Sequence, residues 1–380
     1  MHDPRIAKLA DVLVNYSVQV KRGDVVRIVA STVAEPLMVE VFKTCVKAGG
    51  CPYIQLVPDE CQEHFLKLAK KHQLDWVNPV LKYEMGAIDC MISAWGFHNT
   101  KHLSNVDPEA QARVSAARKP IVSLFMKRAA IAYGKKGGLR WVGTQYPCQA
   151  HAQDADMSLA DFEDFVFKAG MLHKPNPAAE WRKISIRQQR VADYLDKVKD
   201  IRFRSPNGTD LRMSVAGRRW INCDGRANFP DGEVFSAPLE DSTEGTVCYN
   251  FPAVHGGREV HDIRLVFKRG RVVDCSASKN EDFLIKMLDQ DKGSRILGEI
   301  AIGTNYRIQR YMKHTLFDEK IGGTFHAALG ASIIESGGRN KSGLHWDMVC
   351  DLRKGGTIEA DGKAISRNGR FLKASWPQPV

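Results

Sequence analysis

Apolar side chains recur at Ile6, Leu9, Ala10, Leu13 and Val14, the spacing of one helical face, and predict a helix over residues 4–19. Behind the Arg22-Gly-Asp turn, Val25-Val-Arg-Ile-Val-Ala30 predicts a strand. A helical stripe returns at 34–46 and is stopped by Gly49-Gly50, which supply the left-handed backbone of a helix end. Residues 52–57 predict a strand and 63–74 a helix. Strands are expected at 87–93 and 121–125, with a helix at 108–118 between them. Strand and helix alternating at this pace predict an α/β N-terminal domain with a mainly parallel sheet. Ser158 then opens a helix that reaches Ala169.

The pattern changes at Lys174-Pro-Asn-Pro177, which reads as a linker between domains at 1–175 and 176–380. After a helix at 184–198, short alternating runs predict strands at 200–204, 211–215, 246–250, 262–267 and 272–276. Turns such as Asn207-Gly208 and Arg269-Gly270 join them. A last helix is expected from 281 to 298, ending on the segment that carries Glu299. The second domain is therefore α+β, rich in antiparallel pairing, and holds nearly all the candidate chemistry.

A formal charge of +11 raises the question of nucleic acid, but the basic residues are dispersed and no nucleic-acid module accompanies them. No apolar run approaches the length of a membrane span. Nine cysteines, an odd number without a C-x-x-C pair, fit reduced thiols in a cytoplasm better than a disulfide framework. The opening His2-Asp-Pro-Arg leads into a helix, with no signal-peptide pattern. No glycine-rich phosphate loop and no Gly-x-Ser-x-Gly elbow occur.

Metal-capable side chains gather between Glu299 and Asp347. They are Glu299, Glu319, His326, His345 and Asp347, with Glu233 upstream. Carboxylates supply hard oxygens that bridge and neutralise cations, and imidazoles set affinity, so this set suits two divalent metal ions. In His345-Trp-Asp347 the alternation of a strand turns the imidazole and the carboxylate to one face and Trp346 to the other.

Five segments in order carry a resemblance to the M29 metallopeptidases, the aminopeptidase T and aminopeptidase S group: 228–238, 297–301, 316–319, 326–330 and 345–347. The opening at 9–17 and 22–26 is similar as well. The resemblance implies a metal-dependent aminopeptidase acting on peptides, a homodimer, and a dinuclear site for zinc, cobalt or manganese. Its ligands would be Glu233, Glu299, His326, His345 and Asp347, with Glu319 as a further ligand or as the group that moves the proton. One departure stands out: where the family places a tyrosine seven residues after the histidine of its His-x-Ala-Leu-Gly motif, this chain has Ile333. Arg339 and Lys341 are nearby donors. Two other readings are open: a ring-cleaving Fe(II) dioxygenase using His326, His345 and Asp347, and a catalytically silent metal-binding protein.

Overall fold

A computed structural model describes residues 3–131, 133 and 135–379; the His2 of the opening segment lies outside them. The chain divides into two compact units. One comprises Met1–Ala178 with Gly225–Pro230, the other Ala179–Asp224 with Asp231–Val380.

The first unit is built on a five-stranded parallel sheet. Its strands lie in the order Cys51–Leu56, Val25–Ala30, Cys90–Trp95, Arg140–Gln145 and Asn228–Phe229. Helix Glu35–Lys47 ends where expected: Gly49 adopts φ +86° and the Gly50 N–H returns to the Cys45 carbonyl. Ser158 caps helix Leu159–Ala169 by accepting from the Asp161 N–H.

One expectation for this unit is corrected, and one strand was not anticipated. Residues 121–125 are not a strand; they lie within a 22-residue helix, Pro108–Ala129, which runs through Pro120. Ile121 is buried whereas Val122 is exposed, so the short apolar run is one stripe of a helix. The strand that takes this place in the sheet is Arg140–Gln145. Its opening arginine hid it. Arg140 is buried because its guanidinium reaches the Val18 and Gln19 carbonyls and pairs with Asp24 at 2.6 Å.

The second unit stacks two antiparallel sheets. An eight-stranded sheet contains the predicted strands, found at Asp200–Ser205, Thr209–Ser214, Glu244–Cys248, Arg264–Lys268 and Arg271–Ser276. A five-stranded sheet carries the candidate residues, in the order His345–Asp351, Thr324–Gly330, Leu297–Gly303, Glu233–Ser236 and Ile221–Cys223. One face of the five-stranded sheet presents Ile300, Ile302, Phe325, Leu329, Trp346 and Met348 to a core shared with the eight-stranded sheet. Phe203 stacks on Phe325 across it at 4.2 Å.

The helix expected to reach residue 298 stops at Leu288. Asp291 ends it: its carboxylate accepts from the Gly293 and Gly343 N–H groups and from the Ser342 hydroxyl, which forces a turn. Glu299 therefore sits on a strand. The segment holding Tyr306 and Tyr311 is irregular. Both phenols are spent on backbone carbonyls, those of Gly369 and Pro252.

Candidate metal centre

Register decides what shares a face. Ala328 stands opposite both Glu299 and Asp347, Ala301 opposite His326, Gly303 opposite Glu233, and Gly330 opposite His345. Cross-strand partners point the same way, so Glu233, Glu299, His326, His345 and Asp347 all lie on the face turned away from the core. The residues between them are alanine and glycine, and they leave the space in front of the sheet to the carboxylates and imidazoles.

Glu299 reaches this face through a β-bulge. The pairing slips between Leu297, opposite Leu329, and Glu299, opposite Ala328. Without the slip, two residues apart on one strand would share a face, and Glu299 would follow Leu297 into the core. Gly298 makes the bulge possible, because a Cβ there would lie 2.3 Å from the Ala331 carbonyl oxygen.

The candidate ligands converge. His326 Nε2 is 3.4 Å from Glu233 Oε2 and 3.4 Å from Glu299 Oε1. His345 Nε2 is 3.6 Å from Glu299 Oε2 and 3.5 Å from Asp347 Oδ1. Two groups of three with metal-ligand spacing result, Glu233–Glu299–His326 and Glu299–His345–Asp347, and Glu299 belongs to both. Each imidazole is oriented from behind: Nδ1 of His326 meets the Glu319 carbonyl at 3.2 Å, and Nδ1 of His345 the Ala331 carbonyl at 2.9 Å. Those carbonyls accept from a proton held on each Nδ1 and turn each Nε2 toward the carboxylates, the support that metal-bound histidines require.

Burial grades across the site. His326 is fully buried and Glu233 and Glu299 nearly so, whereas the His345 side chain is 36% exposed and marks the open end. Glu233 Oε2 and His326 Nε2 are buried without a hydrogen-bond partner. Two ligand atoms facing each other at 3.4 Å without a hydrogen bond are costly in a protein interior unless something charged is shared between them. A divalent cation fits that need, and the donor set of carboxylate oxygen and imidazole nitrogen suits zinc, cobalt or manganese.

The metal-free electrostatics agree. Burial opposes the charged form of His326, yet Glu299, Glu233 and Glu319 overrule it and push the imidazole up to about 9. His345 is likewise raised to about 10 by Asp347 and Glu299 against the effect of burial. Burial resists the charge of Asp347 as well, but His345 and His326 hold its carboxyl well below the usual range. Glu299 is raised, chiefly by burial. Without metal, protons on the histidines do the neutralising.

Glu319 stands differently. It belongs to neither group; its Oε2 is 2.5 Å from the ammonium of Lys320, and burial raises its carboxyl well above the ordinary value. It also lowers Asp347 by hydrogen bonding, and with Asp347 it lines a pocket walled by Pro252, Ala253, Val254 and Val349. Ile333 is half-buried and precedes a short turn at Ile334–Ser336. Arg339 and Lys341 are exposed, the former donating its N–H to Glu240.

Three residues that the sequence reading passed over share this wall. Lys320 is 1% exposed, and its Nζ also lies 3.0 Å from Glu233 Oε1. Cys223 and Asp231 form a third group with Glu233. Asp231 lies ahead of strand Glu233–Ser236, so strand alternation does not flag it; its one signal is its closeness in sequence to Glu233. Lys320 gave no signal, because Asp318-Glu-Lys looks like any solvated charged turn.

A buried, one-faced cluster of carboxylates and imidazoles on an antiparallel sheet is suited to hold divalent metal. Residues 2–371 match the thermophilic metalloprotease (M29) family, and the chain belongs to it. Aminopeptidase 2 of Geobacillus stearothermophilus is 27% identical over 98% of both chains. Aminopeptidase AmpS of Bacillus subtilis is 31% identical over 54% of this chain and 58% of that one. Among solved structures, wild-type AmpT from Thermus thermophilus superposes with a TM-score of 0.83 at 24% identity, covering 97% of this chain and 99% of its own. The 2,5-dihydroxypyridine dioxygenase from Pseudomonas putida KT2440 covers 99% of each chain with a TM-score of 0.64 at 14% identity. At such identities these two likenesses establish the shared fold alone. Membership in the family implies use of divalent metal and peptide substrates. Among the described residues no helix is long and apolar enough to cross a membrane.

Proposed function

We propose that the protein is an aminopeptidase that removes N-terminal residues from peptides at a dinuclear metal site in the second unit. The observation that carries the reading is Glu299, whose two oxygens address different histidines and join two three-residue groups. Glu233, Glu299 and His326 would hold one ion, and Glu299, His345 and Asp347 the other. With all ionised, the five carboxylates of this wall, Asp231, Glu233, Glu299, Glu319 and Asp347, face the single ammonium of Lys320. That surplus of negative charge suits bound cations. The relatives' names and the family point to the same activity.

When bound, divalent cations supply Lewis-acid polarisation of a carbonyl and a water acidic enough to ionise near neutral pH. The chain's own groups do the remainder. Glu319 is the proton carrier: burial favours its neutral form, Lys320 pins one of its oxygens, and it lines the pocket beside Asp347. From there it passes a proton to the departing amine. The Pro252–Val254 segment and Val349 exclude water from one side of that pocket.

A single-iron site for dioxygen chemistry requires His326, His345 and Asp347 around one ion. Among the described residues the two histidines fall in different groups, each with Glu299, which favours the peptidase. The homodimer and the cytoplasmic setting belong to the same proposal; nine free cysteines are consistent with a reducing compartment. The test is metal analysis together with hydrolysis of aminoacyl anilides. Two zinc, cobalt or manganese ions per chain with N-terminal cleavage are expected. One iron per chain with oxygen uptake, or a metal-loaded protein inert toward every anilide and peptide, would refute the reading.

A further inference from the structure

The corner formed by Cys223, Asp231 and Glu233 has ligand atoms spaced as a metal site would space them, and of the three the proposed metal site uses Glu233 alone. It adjoins Lys320. We propose that the Lys320 ammonium is a resident cation that closes this corner to metal and fixes Glu233 so that only one of its oxygens is free for an ion. The inference rests on the metal reading above and adds to it where metal is kept out.

Three observations carry it. Lys320 is almost wholly buried, and a buried ammonium persists only where carboxylates surround it. Its Nζ takes Glu233 Oε1 at 3.0 Å and Glu319 Oε2 at 2.5 Å, while the other Glu233 oxygen has no hydrogen bond and faces His326 Nε2 at 3.4 Å. A cation of fixed position thus divides the two oxygens of Glu233 between a protein charge and the candidate ion. Cys223 and Glu233 are also cross-strand partners, so the thiol faces the same space. A soft thiolate there would compete for zinc or cobalt with the oxygen-rich groups around Glu299. An ammonium attracts the same carboxylates but accepts no ligand exchange, so it denies the corner to metal while supplying charge.

Cobalt reports thiolate ligation directly, through a charge-transfer absorption that oxygen and nitrogen ligands do not give. Titration of the wild-type protein with cobalt is expected to fill its sites without that band. The variant Lys320→Met is expected to take up one further cobalt per chain and to show the band, and Lys320→Met combined with Cys223→Ser is expected to lose it. Lys320→Gln, which keeps polarity without charge, provides a second neutral variant should the first fold poorly. A neutral variant that folds only when cobalt is supplied, with the band present, also supports the assignment. A thiolate band in the wild-type protein would overturn it, as would a folded neutral variant with unchanged cobalt count and no band. Wild-type protein that binds no cobalt at all would instead bring down the metal reading on which the inference stands.

Discussion

At the residue scale, Glu299 is the group on which the two ion positions depend, because each of its oxygens faces a different histidine. Glu299→Gln preserves shape but removes the charge that both groups share. Activity toward aminoacyl anilides is expected to fall by at least about 10²-fold, the scale on which removing one transition-state stabilising group acts. Metal content should drop with it while circular dichroism stays unchanged. Retained turnover in the folded variant would remove Glu299 from the account. The protonation states give a second prediction, for metal-free protein. His326 at about 9 and His345 at about 10 bind protons more tightly folded than unfolded, where imidazole titrates near 6.5. Their contribution to stability is therefore complete below about pH 6.5 and is lost as pH rises through 9 to 10. Glu299, Glu319 and Asp231, the last raised by burial to about 7, act in the same direction at lower pH. Asp347, held low, opposes them only in the acid range. Denaturant midpoints of the metal-free protein should fall between pH 6.5 and 10. The metal-loaded protein, whose imidazoles are already neutral, should show a shallower decline.

At the scale of elements, the bulge at Gly298 aims Glu299 at the site while Leu297 stays in the core. Gly298→Ala would press a methyl group against the Ala331 and Gly330 carbonyls, and Ala331 is also the acceptor that orients His345. The variant is expected to lose about 1–3 kcal/mol of stability and about 10- to 100-fold in metal affinity, both measurable by calorimetry. Affinity and stability equal to wild type would show that the bulge does not set the site. This element also shows what the sequence could and could not reveal. The alternation in His345-Trp-Asp347 was readable because a strand has a fixed period, and strand His345–Asp351 has the geometry that period implies. The bulge was not readable, since it depends on how two separated strands pair. Residues 121–125 were misassigned because so short a mainly apolar run fits either period, and strand Arg140–Gln145 was missed because its charged first residue is neutralised by remote carbonyls and Asp24. Lys320 was hidden for the same reason: its burial makes sense only once Glu233, distant in the chain, stands beside it.

For the whole molecule, the α/β and antiparallel halves were legible from the pace of strands and helices. The meeting of Glu233, Glu299, His326, His345 and Asp347 on one sheet face could be anticipated only from the order of motifs. If that meeting serves metal, ions bound there stabilise the folded chain, because the unfolded chain has no such site. At a metal concentration about 100 times the dissociation constant the gain is about 2.7 kcal/mol. That corresponds to a rise in melting temperature of roughly 5–10 °C, at about 2–4 °C per kcal/mol. Chelation should reverse it, and a melting temperature indifferent to chelator would contradict the prediction.

The most direct measurement is anomalous diffraction from crystals of the protein loaded with zinc or cobalt. Two peaks per chain are predicted on either side of the Glu299 carboxylate, one against Glu233 and His326 and the other against His345 and Asp347. A single peak held by both histidines, or no peak on this face of the sheet, would contradict the account.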